Sequence, residues 1–252
     1  MKELSVFFKE KAAKTFKKEG ILVVETKDLQ EGLTLAKDFL YQVVNGQTVL
    51  FLSGGSTPKP LYTTLAKEAK LKAGAVGMID ERFGPPYHEN SNEEMIKNTG
   101  FLDYLKQQNI AFYPYLQEGK DQEQEARDYD ETVRYLFSHF PKNAAILGIG
   151  DDGHTAGIAP NRDDFINPIF KESDRNMVFG FNDQNGYFGK RLTMKFDALA
   201  RIDVLIVLAF GEKKKEALKK MFVPGELEET PSRFYLLPNI SQKTLLITDQ
   251  KV

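Results

Sequence analysis

The 252-residue chain has no cysteine, no tryptophan and only three histidines. Lacking cysteine, it has no disulfide, no thiol nucleophile and no thiolate metal site, a composition that fits the cytoplasm. Its most apolar run, residues 204–210, is far too short to span a bilayer. The opening MKELSVFFKEKAAKTFKKEG lacks the continuous apolar segment and small-residue cleavage site of a secretory signal. An excess of one charge is missing as well. The 34 Lys and Arg nearly balance 36 Asp and Glu, for a formal net charge of −2. That balance gives no electrostatic case for nucleic acid or a membrane surface. The expectation is a soluble cytoplasmic protein. No repeat, low-complexity linker or composition break divides the chain, so residues 1–252 read as a single domain.

What is present centres on LGIGDDGHTAGIAP, residues 147–160. The apolar run 144–147 before it reads as a buried strand, and Gly148, Gly150 and Gly153 permit sharp turns. Asp151, Asp152 and His154 are then presented at a strand's carboxyl end, where open α/β sheets bind ligands and where a following helix is expected to begin. The same letters satisfy the dinucleotide fingerprint G-x-G-x-x-G. Asp151 and Asp152 would repel a pyrophosphate, however, and Glu172 and Asp174, near the spacing of a ribose-binding acid, do not sit at a strand end. The fingerprint reads as accidental.

A second glycine loop follows the apolar strand TVLFL: Ser53-Gly54-Gly55-Ser56-Thr57-Pro58. Strand, glycine loop and helix N-terminus together make an anion site, with Thr57 expected as the cap and Pro58 at the first helical position. It is neither a Walker loop nor a G-x-S-x-G elbow. A strand over 76–79 is expected to deliver Asp80, Glu81 and Arg82 to a long loop, FGPPYHENSN. Ser91 and Glu94 have the form of a capping box. Elsewhere the pattern predicts a helix over 2–18, strands over 21–24, 110–114, 177–182, 191–196, 204–210 and 244–248, and helices from Asp28 to about Val44, over 59–69 and over 121–140. Gly211 opens a helix whose triple lysine is mostly a solvated face, with one lysine turned inward. Thr230-Pro231 repeats the cap-plus-proline start. No pair of histidines has metal-ligand spacing, so no metal is expected.

Taken in order, these segments resemble the 6-phosphogluconolactonases, of the superfamily that also holds glucosamine-6-phosphate deaminases. The resemblance runs through Ser53-Gly54-Gly55-Ser56-Thr57-Pro58, and through Asp80-Glu81-Arg82 with Pro85, His88 and Ser91-Asn92. It continues in Gly148-x-Gly150-x-Asp152-Gly153-His154-Thr155-Ala156, Arg191-x-Thr193, Gly211 with Lys214, Pro231-Ser232 and Asp249. The chain departs from the family at Gly84, at Gly157 and at Ala159-Pro160-Asn161. Ala159 stands where the deaminases carry a glutamate that supports ring opening. The resemblance implies an α/β fold, a modified Rossmann-like three-layer α/β/α sandwich with a mainly parallel sheet. It also implies hydrolysis of 6-phosphogluconolactone without a cofactor. On that reading His154 is the base, Asp152 orients it, and Arg82 and the bend's N–H groups serve the oxyanion or the sugar acid. The phosphate would lie on Ser53–Thr57 with Lys214, or secondly Arg191, as countercharge, and His88 belongs to the substrate pocket. The alternatives are an amino-sugar-phosphate deaminase or isomerase, with Asp80 taking the carbon-2 proton, or a non-catalytic sugar-phosphate sensor. The expected partner is a small phosphorylated lactone, and the oligomeric state stays open.

Overall fold

The computed structural model describes residues 6–8, 10–11, 14–162, 176–183 and 189–252. An eight-stranded sheet runs in the order β1-β2-β11-β10-β7-β3-β4-β6. Its members are β1 (Lys14–Lys18), β2 (Ile21–Glu25), β3 (Thr48–Leu52), β4 (Ala75–Met78), β6 (Ala111–Phe112), β7 (Lys142–Gly148), β10 (Val204–Ala209) and β11 (Thr244–Thr248). All neighbours are parallel except β1 and β2. Helices cover both faces, so central strands such as TVLFL and TLLIT are buried at every position. The main helices are α1 (Leu29–Val43), α2 (Lys59–Glu68), α3 (Asn92–Lys97), α4 (Phe101–Gln107), α5 (Gln122–His139) and α6 (Lys215–Phe222). None of the helices among the described residues is long and apolar enough to cross a membrane.

The strand order explains where the cleft lies. From β3 the chain winds outward through β4 to β6, whereas from β7 it winds the other way to β10 and β11. Between β3 and β7 the winding reverses, which leaves a crevice at the carboxyl ends of those two strands. A small antiparallel sheet of β5 (Asp80–Arg82), β9 (Gly189–Met194) and β8 (Val178–Asp183) walls one side. Ile79 joins the two sheets, its N–H donating to Leu52 O at 2.8 Å and its carbonyl accepting from Met194 N at 2.9 Å.

Several sequence expectations need correction. Residues 14–18 form a strand, although residues 6–8 and 10 are helical as expected. Glu19 (φ 46°) and Gly20 (φ 85°) make a two-residue turn with both φ positive, which suits a hairpin onto β2 and outweighs the roughly helical spacing of Val6, Phe7, Ala12, Ala13 and Phe16. The strand expected over 76–79 ends at Met78, and Asp80–Arg82 crosses to the second sheet. Phe196 belongs to a helical turn, not to β9. No helix starts directly after the bend, because residues through Arg162 form turns and a Thr155–Ile158 bridge. Neither Thr57 nor Thr230 caps through its side chain, and Pro58 itself is the N-cap of α2. Ser91 Oγ accepts from Glu94 N at 2.9 Å, but the reciprocal half of the box is not made, since Ser91 N donates to His88 O at 2.9 Å. Glu172 and Asp174 lie outside the described residues.

Candidate active site

A cleft of about 520 Å³ opens at the reversal point, lined by both glycine loops, Asp80, Arg82, Asn92, Arg191 and Lys214. The bend after β7 is tied down from three directions. Gly150 N donates to His154 O at 2.8 Å, Thr155 Oγ1 donates to Gly148 O at 3.0 Å, and Ser232 N donates to Gly153 O at 3.0 Å. Gly153 has φ +94°, the left-handed region that favours glycine.

On this frame Asp152 Oδ1 accepts from His154 N at 3.0 Å and meets His154 Nδ1 at 2.7 Å. Partial burial pushes the Asp152 carboxyl up. The hydrogen bond and charge of His154 outweigh it and hold the group at about 2. An ionised Asp152 on Nδ1 fixes the tautomer, so that Nε2 carries the free lone pair. The imidazole lies against Gly150, where a Cβ would come within 2.1 Å of the ring.

Across the cleft, β3 ends in Ser53, whose N–H extends the ladder to Ile146 O at 3.1 Å. α2 starts without a side-chain cap; because Pro58 and Pro60 carry no N–H, the donors this end can offer a ligand come mainly from the N–H groups of the loop before it. Ser53 is buried and its Oγ has no hydrogen-bond partner among the described residues. Lys214 Nζ approaches from the start of α6 and pairs with Asp151 Oδ1 at 2.7 Å. Its neighbour Lys215 pairs outward with Glu212 at 2.9 Å, so Lys214 is the lysine turned inward. Asp249 accepts from Gly211 N at 2.9 and 3.1 Å, which anchors that turn.

The side wall is a chain of buried charges. Arg191 NH2 donates to Asp80 Oδ2 at 3.1 Å, and its NH1 lies 3.6 Å from Asp183 Oδ2. Gly157 (φ +69°) makes room for it, since a Cβ there would lie 2.9 Å from Arg191 NH2 and 3.0 Å from Asp80 Oδ2. Arg82 NH1 donates to Asn90 O at 2.8 Å. His88 does not line the cleft: its Nε2 meets Arg82 O at 2.9 Å, so it braces the loop rather than facing a ligand.

Sequence reasoning gave no site role to Asn92 or Asp183. Asn92 Nδ2 donates to Asp80 O at 2.8 Å, which turns Oδ1 onto Gly54, where a Cβ would lie 1.7 Å away. Its signal was adjacency to Ser91 in the loop motif. Asp183 carries no sequence signal, because only the pairing of β8 with β9 brings it to Arg191.

The fold and cleft define an α/β protein with a Ser–Gly-rich loop facing an Asp–His pair at the carboxyl ends of parallel strands. Residues 31–245 match the family described as glucosamine-6-phosphate isomerases/6-phosphogluconolactonase. A 6-phosphogluconolactonase of Synechocystis sp. is 33% identical over 196 residues, covering 75% of this chain and 78% of that protein. One from Nostoc sp. is 31% identical over 199 residues, with 75% and 78% covered. Among solved structures, 6-phosphogluconolactonase from Plasmodium vivax superposes with a TM-score of 0.75 at 22% identity, covering 94% of each chain. A monomeric glucosamine-6-phosphate deaminase superposes at 0.69 and 22% identity, over 90% of this chain and 96% of its own. The chain belongs to the glucosamine-6-phosphate isomerase/6-phosphogluconolactonase family.

Proposed function

We infer that this single-domain protein hydrolyses 6-phosphogluconolactone to 6-phosphogluconate in the cytoplasm, as a step of the pentose phosphate pathway. The observation that carries this reading is the His154 imidazole, held at Nδ1 by Asp152 and with Nε2 free, across the cleft from an uncapped helix start and Lys214. The phosphate lies on Ser53–Thr57 and Lys214, which sets the lactone carbonyl near His154. Nε2 takes a proton from water as the water oxygen bonds to carbon 1. Arg82 and N–H groups of the bend stabilise the oxyanion. Collapse breaks the bond from carbon 1 to the ring oxygen, which receives the proton back from His154. Arg191, clamped by Asp80 and Asp183, forms the wall beside the sugar.

Deamination of an amino-sugar phosphate is disfavoured on two counts. Position 159 is an alanine, and the Asp80 carboxylate is engaged by Arg191 rather than free to take a carbon-bound proton. The test supplies freshly made 6-phosphogluconolactone and follows acid release above the spontaneous rate. His154→Gln is expected to lower that rate by about 10²–10⁴-fold while product binding persists. A mutant within a few-fold of wild type removes His154 from the mechanism, and ammonia release from glucosamine 6-phosphate overturns the lactonase reading. Activity is expected to survive exhaustive chelation: Asp151 and Asp152 are engaged by Lys214 and His154, and no group of three metal-ligating side chains converges among the described residues. Loss in chelator with rescue by one divalent ion contradicts this.

A further inference from the structure

We propose that Asp151 is a resident anion of the phosphate site, a carboxylate that an incoming phosphate ester must displace from Lys214. This rests on the reading of Ser53–Thr57 and Lys214 as the phosphate site. Both partners line the cleft, and Asp151 Oδ1 lies 2.7 Å from Lys214 Nζ. The lysine is the buried member of the pair, with 16% of its side chain exposed against 55% for Asp151. Asp151 rides on the bend between Gly150 and Gly153, so it swings toward solvent more readily than Lys214 does. Its neighbour Asp152 is committed to His154, which divides the two adjacent acids between two tasks.

A singly charged ligand that replaces a carboxylate on Lys214 exchanges one monoanion contact for another and gains little. A phosphate monoester, with about −1.5 to −2 charge near neutrality and three acceptor oxygens, gathers the lysine and the loop N–H groups together. If Lys214 keeps both partners, the carboxylate and the phosphate share one ammonium and repel. Displacement and repulsion have the same sign: Asp151 weakens anion binding and makes the site selective for the phosphate dianion. A positioning role, in which Asp151 holds Lys214 ready for phosphate, has the opposite sign.

Calorimetric titration of wild type, Asp151→Asn and Glu212→Gln with 6-phosphogluconate, inorganic phosphate and unphosphorylated gluconate tests the proposal. Half-exposed ion pairs contribute about 0.2–1 kcal/mol, so Asp151→Asn is expected to tighten both phosphate ligands by about 1.4- to fivefold. Gluconate binding should not move. KM for the lactone is expected to fall by the same factor with no rise in kcat. Glu212→Gln, which removes an equal charge from the outward Lys215 pair, should change nothing. Unchanged or weaker phosphate binding in Asp151→Asn overturns the proposal, as does an equal gain in Glu212→Gln. Phosphate that binds no variant overturns both the anion site and this role. Phosphate binding that follows the expected pattern without lactone hydrolysis overturns only the lactonase reading.

Discussion

Single atoms decide how the site is built, and Gly150 shows it most directly. Its φ is not in the left-handed region, so alanine suits the backbone; what forbids a side chain is the His154 ring 2.1 Å from the missing Cβ. Gly150→Ala is therefore expected to leave thermal stability nearly unchanged. It should push the imidazole off Asp152 and cut kcat by at least tenfold, with KM little altered, because the Ser53–Thr57 side of the cleft is untouched. Wild-type kinetics in this variant would show that the ring has room to move. Gly157 differs, because both its φ of +69° and its contacts with Arg191 and Asp80 exclude a side chain. A sequence shows that glycines are present and not which of these reasons applies, since the reason is another segment's side chain.

At the scale of elements, two helix starts that look alike in sequence serve different ends. Asp28 caps α1, its Oδ1 accepting from Glu31 N at 2.8 Å, whereas α2 starts with no side-chain cap. Asp28→Ala is expected to cost about 1 kcal/mol of stability with activity unchanged. Thr57→Ala should change stability by less than about 0.5 kcal/mol, since its hydroxyl makes no helix-capping hydrogen bond, and on the proposed function it should weaken phosphate binding. Denaturant unfolding alongside ligand titration separates the two. The parallel strands were legible because burial on both faces leaves continuous apolar runs, as in β3, β10 and β11. The loop motifs likewise marked the glycine bend and the Ser53–Thr57 loop, both of which line the cleft. Hidden were β1, whose lysines and phenylalanines mimic helical spacing, and the transfer of Asp80–Arg82 to a second sheet. That sheet pairs Asp80 with Thr193 and Arg82 with Arg191, segments far apart in sequence, and no local pattern encodes it.

At the scale of the molecule, three buried glutamates set the response to pH. Burial, followed by the charge of Glu93, pushes Glu81 up to about 8, against three backbone N–H bonds that pull it down. Burial also lifts Glu93 and Glu125 to about 7. Each is raised above its ordinary 4.5, so the stability linked to these groups is full below that value and is lost as pH rises through 7 to 8. Asp152 acts in the other direction, its share present above 3.8 and lost as pH falls through about 2. Thermal melts are expected to show Tm highest in mild acid and falling from about pH 5 to about pH 8; a Tm that rises over that interval contradicts the assignment. The crevice between β3 and β7 has a kinetic meaning too. Its lining comes from residues as far apart as Ser53 and Lys214, carried by strands that pair only after long crossovers. No fragment of the chain holds the whole lining, and a half-assembled sheet has nothing to offer a ligand. A ligand at 100 times its Kd therefore adds about 2.7 kcal/mol to the native state alone. In a cell, an abundant ligand of this cleft would shield the finished protein from proteolysis while giving no shelter to chains still folding.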